Sequence, residues 1–369
     1  MRRIGICTLY YENKNYGANL QAYALQSVVA AMGMTAELLC YHYRDKLRFF
    51  LRNIKNYCKP KGMEWSNIRI RNHAIDNFNK SIPHSRLYFV NTIKKANDYY
   101  DIFITGSDQV WNPDWINPFL ALEFTDASKK TIAYAASTGK IRLNREQQTR
   151  LKRAVDHTDF ISIREAESIP ALQELTSKPV EYVLDPTLLL SRDEWNVICS
   201  DRIVQEEYMF CYFLGNNGNL RNVAREYAKK RGLKLVTLPY LNGRYRQVDD
   251  GFGDNCLYDV SPKDFISLIK YASFVMTDSF HAAVFSHIYE REFVVSGGGK
   301  NEMGCRMISL TKLFGTEERY IREHDEVTVE VLSKLENISS KLSFDRYEAM
   351  KKHSLDFLKK VLEEDGRDL

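Results

Sequence analysis

The sequence predicts an α/β protein of two doubly wound, Rossmann-like domains in tandem, followed by a charged C-terminal helix. Three observations carry this. At 369 residues the chain is longer than a single core usually fills. Apolar runs of strand length alternate with stretches of helical spacing, the pattern of a mostly parallel sheet covered on both faces. That alternation restarts near residue 207, and strand after strand ends in a short polar or glycine-containing loop. Two such sets of loops face each other across a cleft.

The elements follow in order. Residues 3–10 read as a strand, and Glu12 to Gly17 as a loop. Leu20, Tyr23, Ala24, Ser27, Val28 and Ala31 recur at helical spacing until Gly33 closes the helix. Residues 35–41 give a second strand, and 44–80 a basic, helical stretch. Strands follow at 100–105, 131–136, 160–163 and 180–184, with a polar helix over 144–155. The polar stretch 190–206 divides the chain into 1–195 and 196–369. Beyond it come a strand at 208–214, a helix at 219–231 and a strand at 233–238. A helix at 262–272, strands at 273–277 and 293–295, and the closing helix at 342–365 complete the pattern.

Composition narrows the class. With 44% hydrophobic and 27% charged residues, 22 Tyr and 19 Phe, the chain is globular and not disordered. The net charge of +4 is spread out except over residues 44–73, where bases and aromatics interleave. That stretch reads as a solvated helical face. An anionic lipid surface or an acidic glycan are its other uses, and no nucleic-acid motif accompanies it. Seven cysteines with no C-x-x-C pair indicate free thiols in a reducing compartment. No run of 18 apolar residues occurs, so the expectation is a cytoplasmic protein, with peripheral contact to the inner membrane left open.

The segment Thr277-Asp278-Ser279-Phe280-His281 joins the apolar run Phe274-Val275-Met276 to a helix opening with Ala282-Ala283. Ser279 or Asp278 suits the N-cap. His281 then lies in a first helical turn at the carboxyl end of a strand, where ligands bind and where anions are attracted. A buried histidine satisfied by its neighbours is the other reading. His287, six residues on, is turned away and reads as structural.

Six segments together carry a resemblance. Asn15-Tyr16-Gly17-Ala18 with Leu20-Gln21, Gly106-Ser107-Asp108-Gln109-Val110-Trp111-Asn112, Ser162-Ile163-Arg164-Glu165, Asp185-Pro186-Thr187, Thr277-Asp278-Ser279-Phe280-His281 and the later Arg306 resemble, in order, motifs of the polysaccharide pyruvyl transferase family. The resemblance implies a GT-B-like pair of domains, the first on the acceptor side. It implies transfer of pyruvate from phosphoenolpyruvate to two hydroxyls of one sugar during surface-polysaccharide synthesis in bacteria, as a cyclic ketal. The acceptor is a sugar, lipid-linked or nucleotide-linked. A GT-B glycosyltransferase using a nucleotide sugar and a non-catalytic glycan-binding relative are the alternatives. One departure stands out: some members carry Arg where this chain has Ser279.

The chemistry assigns roles. Ketal formation needs a proton delivered to the vinyl carbon and one removed from a hydroxyl, which suits His281. Asp108 orients or deprotonates a hydroxyl, or caps the next helix. Arg164 clamps the donor, or forms a surface ion pair with Glu165 or Glu167. Arg306 has the same two readings, and Lys300, after Gly297-Gly298-Gly299, completes the donor cations with Ser279, Asp278 and the following N–H groups. Asn15, Tyr16, Gln21 and Trp111 face the acceptor, although Asn15 also suits a turn and Trp111 a core. Asp185-Pro186 reads as turn chemistry alone. No metal-ligand spacing occurs, so neither metal nor cofactor is expected beyond the donor.

Overall fold

The computed structural model describes residues 2–46, 63–241, 246–297, 304–322, 325, 327–335 and 344–364. Lys300 and most of the basic stretch, including Arg48, Arg52, Lys55, Lys59 and Lys61, lie outside them.

Eight strands come from the first half of the chain: β1 (Arg3–Cys7), β2 (Thr35–Leu38), β3 (Tyr41–His42), β4 (Tyr88–Phe89), β5 (Ile102–Thr105), β6 (Lys130–Ala136), β7 (Phe160–Ile163) and β8 (Val180–Tyr182). Six come from the second: β9 (Tyr208–Tyr212), β10 (Lys234–Thr237), β11 (Asn255–Cys256), β12 (Phe274–Thr277), β13 (Phe293–Ser296) and β14 (Tyr320–Ile321). They build two six-stranded parallel sheets, ordered β2-β1-β5-β6-β7-β8 and β11-β10-β9-β12-β13-β14, while β3 and β4 pair separately. Strands such as Ile102-Phe103-Ile104-Thr105 and Phe274-Val275-Met276-Thr277 are buried throughout. Helices cover both faces of a parallel sheet, which is why these strands are apolar without alternation.

In each sheet the strand order reverses beside the first strand. The loops after β1 and β5 flank one reversal, and those after β9 and β12 the other. These are the positions at which open α/β sheets bind ligands. One apolar core runs through both halves, from Ile4 and Tyr16 to Trp195, Phe265 and Phe285. The outer faces have cores of their own, around Phe103 and Trp111 and around Phe274 and Met209.

The stretch between the sheets holds the helix Arg192–Ile198, opened by a capping box in which Ser191 and Glu194 exchange bonds. The last helix, Phe344–Glu363, returns to the first half. Ser354 Oγ accepts from Leu184 N at 2.9 Å, Tyr347 donates to Leu188 O at 2.8 Å, and Arg2 Nη1 donates to Leu362 O at 2.7 Å. Among the described residues no helix is long and apolar enough to cross a membrane.

Candidate active site

The turn after β12 is built by its own side chains. Thr277 Oγ1 donates to Tyr212 O and accepts from Ser279 N, and Ser279 Oγ caps the helix Phe280–Ile288 by accepting from Ala282 N. Asp278 accepts from Leu214 N and Gly215 N at 2.5 and 2.7 Å, tying β12 to the loop after β9. Burial raises its pKa despite those bonds. Asp278 is thus held by the neighbouring backbone, and its carboxylate would repel a phosphate placed against it.

His281 follows in the first turn, buried at 6% exposure. Its Nε2 lies 3.7 Å from Asp185 Oδ2, which reaches it from the first half of the chain. That is charge contact rather than a formed hydrogen bond. Gly17, in the first turn of the helix Tyr16–Ala31, lies against the other nitrogen: a Cβ on Gly17 would stand 2.1 Å from His281 Nδ1. His287 is buried, bonded through Nδ1 to Ala283 O and through Nε2 to Thr316 Oγ1, and burial pushes its pKa down to about 3.

Asp185 is the residue that sequence reasoning undervalued. Its Oδ1 does what the Asp-Pro-Thr turn demands, accepting from Thr187 N and Thr187 Oγ1. Its Oδ2 accepts from Arg164 Nη1 at 2.8 Å and Ser107 Oγ at 3.1 Å while facing His281. Burial alone would raise its pKa. The facing His281 and the charge of Arg164, with the bond from Thr187, overcome that and hold the carboxyl well below the usual range.

Arg164 is not a surface residue. It is 4% exposed, and its guanidinium is spread over three carboxylates: Asp185 at 2.8 Å, Glu165 at 3.1 Å and Asp108 at 3.6 Å. The Phe280 ring packs 4.5 Å from its centre. Desolvation opposes its charge, but Glu165, Asp185 and Asp108 outweigh it and raise its pKa. Arg306 shares a cavity of ≈ 20 Å³ with Arg164, Glu165 and Asp185, room for about one water. With the Gln109 amide oxygen turned toward it, Gln109 accepts from Arg306 Nη1 and Nη2 at 2.9 and 3.1 Å.

Asp108 stands at the end of β5 with φ 64° and ψ −169°, a region nearly reserved for glycine that costs other residues ~1–3 kcal/mol. Its carboxylate makes no capping bond, so the helix-cap reading is set aside. Its carbonyl instead accepts from Val110 N and Ser137 N.

The acceptor residues expected from sequence are mostly buried. Tyr16 is 1% exposed, stacked on Phe265 at 5.0 Å and bonded through its hydroxyl by Arg71. Gln21 is fully buried, donating to Thr8 Oγ1 and Ala18 O and accepting from Ser107 N. Trp111 is fully buried in the outer core. All three side chains are held within the fold. Asn15 remains partly exposed and caps its helix by accepting from Ala18 N. The exposed aromatic here is Trp115, at 49%, its indole donating to Gln109 O.

A larger cavity, ≈ 460 Å³, opens at the carboxyl ends of β9, β12, β13 and β14. Asn216, Asn217, Asp278, Ser296, Arg322 and Asp325 supply its polar lining. Its size is that of a small-molecule site. Among the described residues no group of three or more His, Cys, Asp or Glu is placed to hold a metal.

The arrangement resembles known proteins at two levels. The sequence model of the family described as polysaccharide pyruvyl transferase matches residues 15–297. No curated protein matches the chain. Among solved structures, the UDP-GlcNAc 2-epimerase of Methanocaldococcus jannaschii is similar at TM-score 0.62 and 10% identity, over 98% of this chain and 99% of that one. The S. aureus MnaA–UDP structure is similar at 0.54 and 11%, over 97% and 92%. The UDP-GlcNAc 2-epimerase of Neisseria meningitidis is similar at 0.52 and 10%, over 98% and 99%. At such identities the likeness speaks for the two-domain, GT-B-like fold alone.

Proposed function

The chain belongs to the polysaccharide pyruvyl transferase family, and we propose that it moves pyruvate from phosphoenolpyruvate onto two hydroxyls of a sugar destined for a surface polysaccharide. The single observation behind this reading is His281: a histidine in a helix's first turn, at a sheet reversal, facing a buried carboxylate of the other half. A group that both gives and takes a proton near neutral pH is what the chemistry requires.

In this reading His281 delivers a proton to the methylene carbon of the donor as a sugar hydroxyl attacks the adjacent carbon. The second hydroxyl then displaces phosphate from that carbon. One hydroxyl proton ends on the new methyl group and the other leaves with phosphate, so the products are the cyclic ketal and inorganic phosphate. Asp108 receives a proton from, or orients, the attacking hydroxyl. Arg306 and Lys300 balance the donor's charge, with Arg322 at the rim of the larger cavity. Asn15 and the exposed Trp115 contact the acceptor, the indole as a stacking face. The acceptor is lipid-linked or nucleotide-linked, and the work is done in the cytoplasm, at or near the inner membrane.

Calorimetric titration with phosphoenolpyruvate and with a panel of nucleotide sugars tests the donor. Binding of a nucleotide sugar in place of phosphoenolpyruvate would sink the proposal in favour of glycosyl transfer. His281→Ala is expected to keep the parent's melting temperature and lose about 10²–10⁴-fold in turnover. Near-full activity at every pH would remove His281 from the chemistry.

A further inference from the structure

We infer that Asp185 is a positioning residue that fixes the proton of neutral His281 on Nε2 and so leaves Nδ1 as the atom that exchanges protons with substrate. Three observations support it. Nε2 is buried, has no hydrogen-bond partner among the described residues, and faces Asp185 Oδ2 at 3.7 Å. A carboxylate accepts and cannot donate, so the nitrogen turned toward it carries the hydrogen. The distance is one that catalytic contacts show before substrate tightens them. Nδ1, by contrast, accepts or donates no hydrogen bond among the described residues. Gly17 packs against the ring beside it, where any Cβ would stand 2.1 Å from that atom, so the ring can take this place only against a glycine.

Asp185 is suited to this because it does not move. Arg164 and Ser107 hold the same oxygen, Thr187 holds the other, and the group is 1% exposed. Arg164 is the other charged group bearing on that oxygen, and it is itself drawn off by Glu165 and Asp108. The carboxylate therefore keeps enough negative charge to steady the imidazolium formed when Nδ1 takes a proton. This accounts for the glycine of the Asn15-Tyr16-Gly17 segment, and it gives the Asp-Pro-Thr turn a task beyond turning.

The test uses the full chain labelled with 15N-histidine and without ligand. Among its eight histidines, the His281 ring signal is the one lost in His281→Gln. About two pH units above the ordinary histidine value, the ring is expected as the Nε2-protonated tautomer. In Asp185→Asn, whose amide can turn an N–H toward the ring, that tautomer is expected to give way and kcat to fall about 10²-fold or more with little change in KM. A parent ring protonated on Nδ1 overturns the inference, and that measurement decides even where Asp185→Asn does not fold. An Asp185→Asn variant with the parent's tautomer and kcat overturns it too. The kinetic arm rests on the pyruvyl-transfer reading and the tautomer arm does not. An Nε2-protonated parent that turns over no phosphoenolpyruvate would sink that reading alone.

Discussion

Replacing Arg164 by Met should show how much of the site is framework. Methionine keeps the length and packs against Phe280, but it leaves Asp185, Glu165 and Asp108 without the cation they share. The Arg164 and Asp185 side chains are at most 3% exposed, and the adjoining cavity of ≈ 20 Å³ admits about one water, so solvent cannot replace the guanidinium. Removing one partner of a buried ion pair costs about 3–5 kcal/mol. At ~2–4 °C per kcal/mol for a unit of 150–250 residues, we predict a fall in Tm of about 6–20 °C. The pH dependence carries a sign. Asp185 has a depressed pKa in the folded parent, so its stabilisation is present above the unfolded carboxylate value and is lost only as pH falls through the folded one. Without Arg164 that depression shrinks, and burial then favours the protonated form. The deficit of Arg164→Met should therefore be larger at pH 7.5 than at pH 4.5. Differential scanning calorimetry at the two pH values measures both. A fall in Tm under ~2 °C, or a deficit that grows toward acid, would refute the reasoning and return Arg164 to a donor clamp.

Three further outcomes are expected. Ser279→Arg removes a helix cap worth ~1 kcal/mol and overpacks a turn 5% exposed by about 1–3 kcal/mol, so scanning fluorimetry should show a lower Tm and calorimetry no tighter phosphoenolpyruvate binding. Tighter binding in a stable variant would contradict this. Tyr16→Ala empties a core position between Arg71 and Phe265 and should cost about 3–5 kcal/mol. An unchanged Tm with a raised acceptor KM would restore Tyr16 to the acceptor site. Turnover should survive EDTA, and loss of activity restored by a divalent ion would show otherwise.

What could be read from the sequence follows the range of the interactions. Strands 102–105, 130–136 and 160–163 are strongly apolar runs, and they appear within about two residues of expectation because burial on both faces marks them locally. The cap at Ser279 and the place of His281 after β12 are likewise local. The two-residue strands β3, β4, β11 and β14 have no period to detect. The helix at 192–198 lies in the polar stretch 190–206, whose composition hides it although Ser191 and Glu194 carry a capping-box pattern. The burial of Tyr16, Gln21 and Trp111 is illegible for a different reason. Sequence order put them near the right loops, but their burial is decided by Phe265, Ser107 and the outer core, all remote in sequence. Asp185 escaped because one of its oxygens already satisfied the turn, and the partner of the other lies 96 residues on, at His281.

The last helix's return to the first half has a mechanical result. The polypeptide passes between the halves twice, once before β9 and again along the last helix, where Tyr347 stacks on Phe314 and Ser354 accepts from Leu184 N. Two bodies joined by one strand can swivel about it. Joined by two, they are left chiefly with rocking about the line through both crossings. Any motion with so few degrees of freedom brings back the same alignment, that of one oxygen of Asp185 against one nitrogen of His281 included. Such a linkage works like a door on two hinges, whose latch meets its keeper without searching. Small-angle scattering of the full chain with and without phosphoenolpyruvate should then show two nearby states rather than a broad spread of interdomain distances.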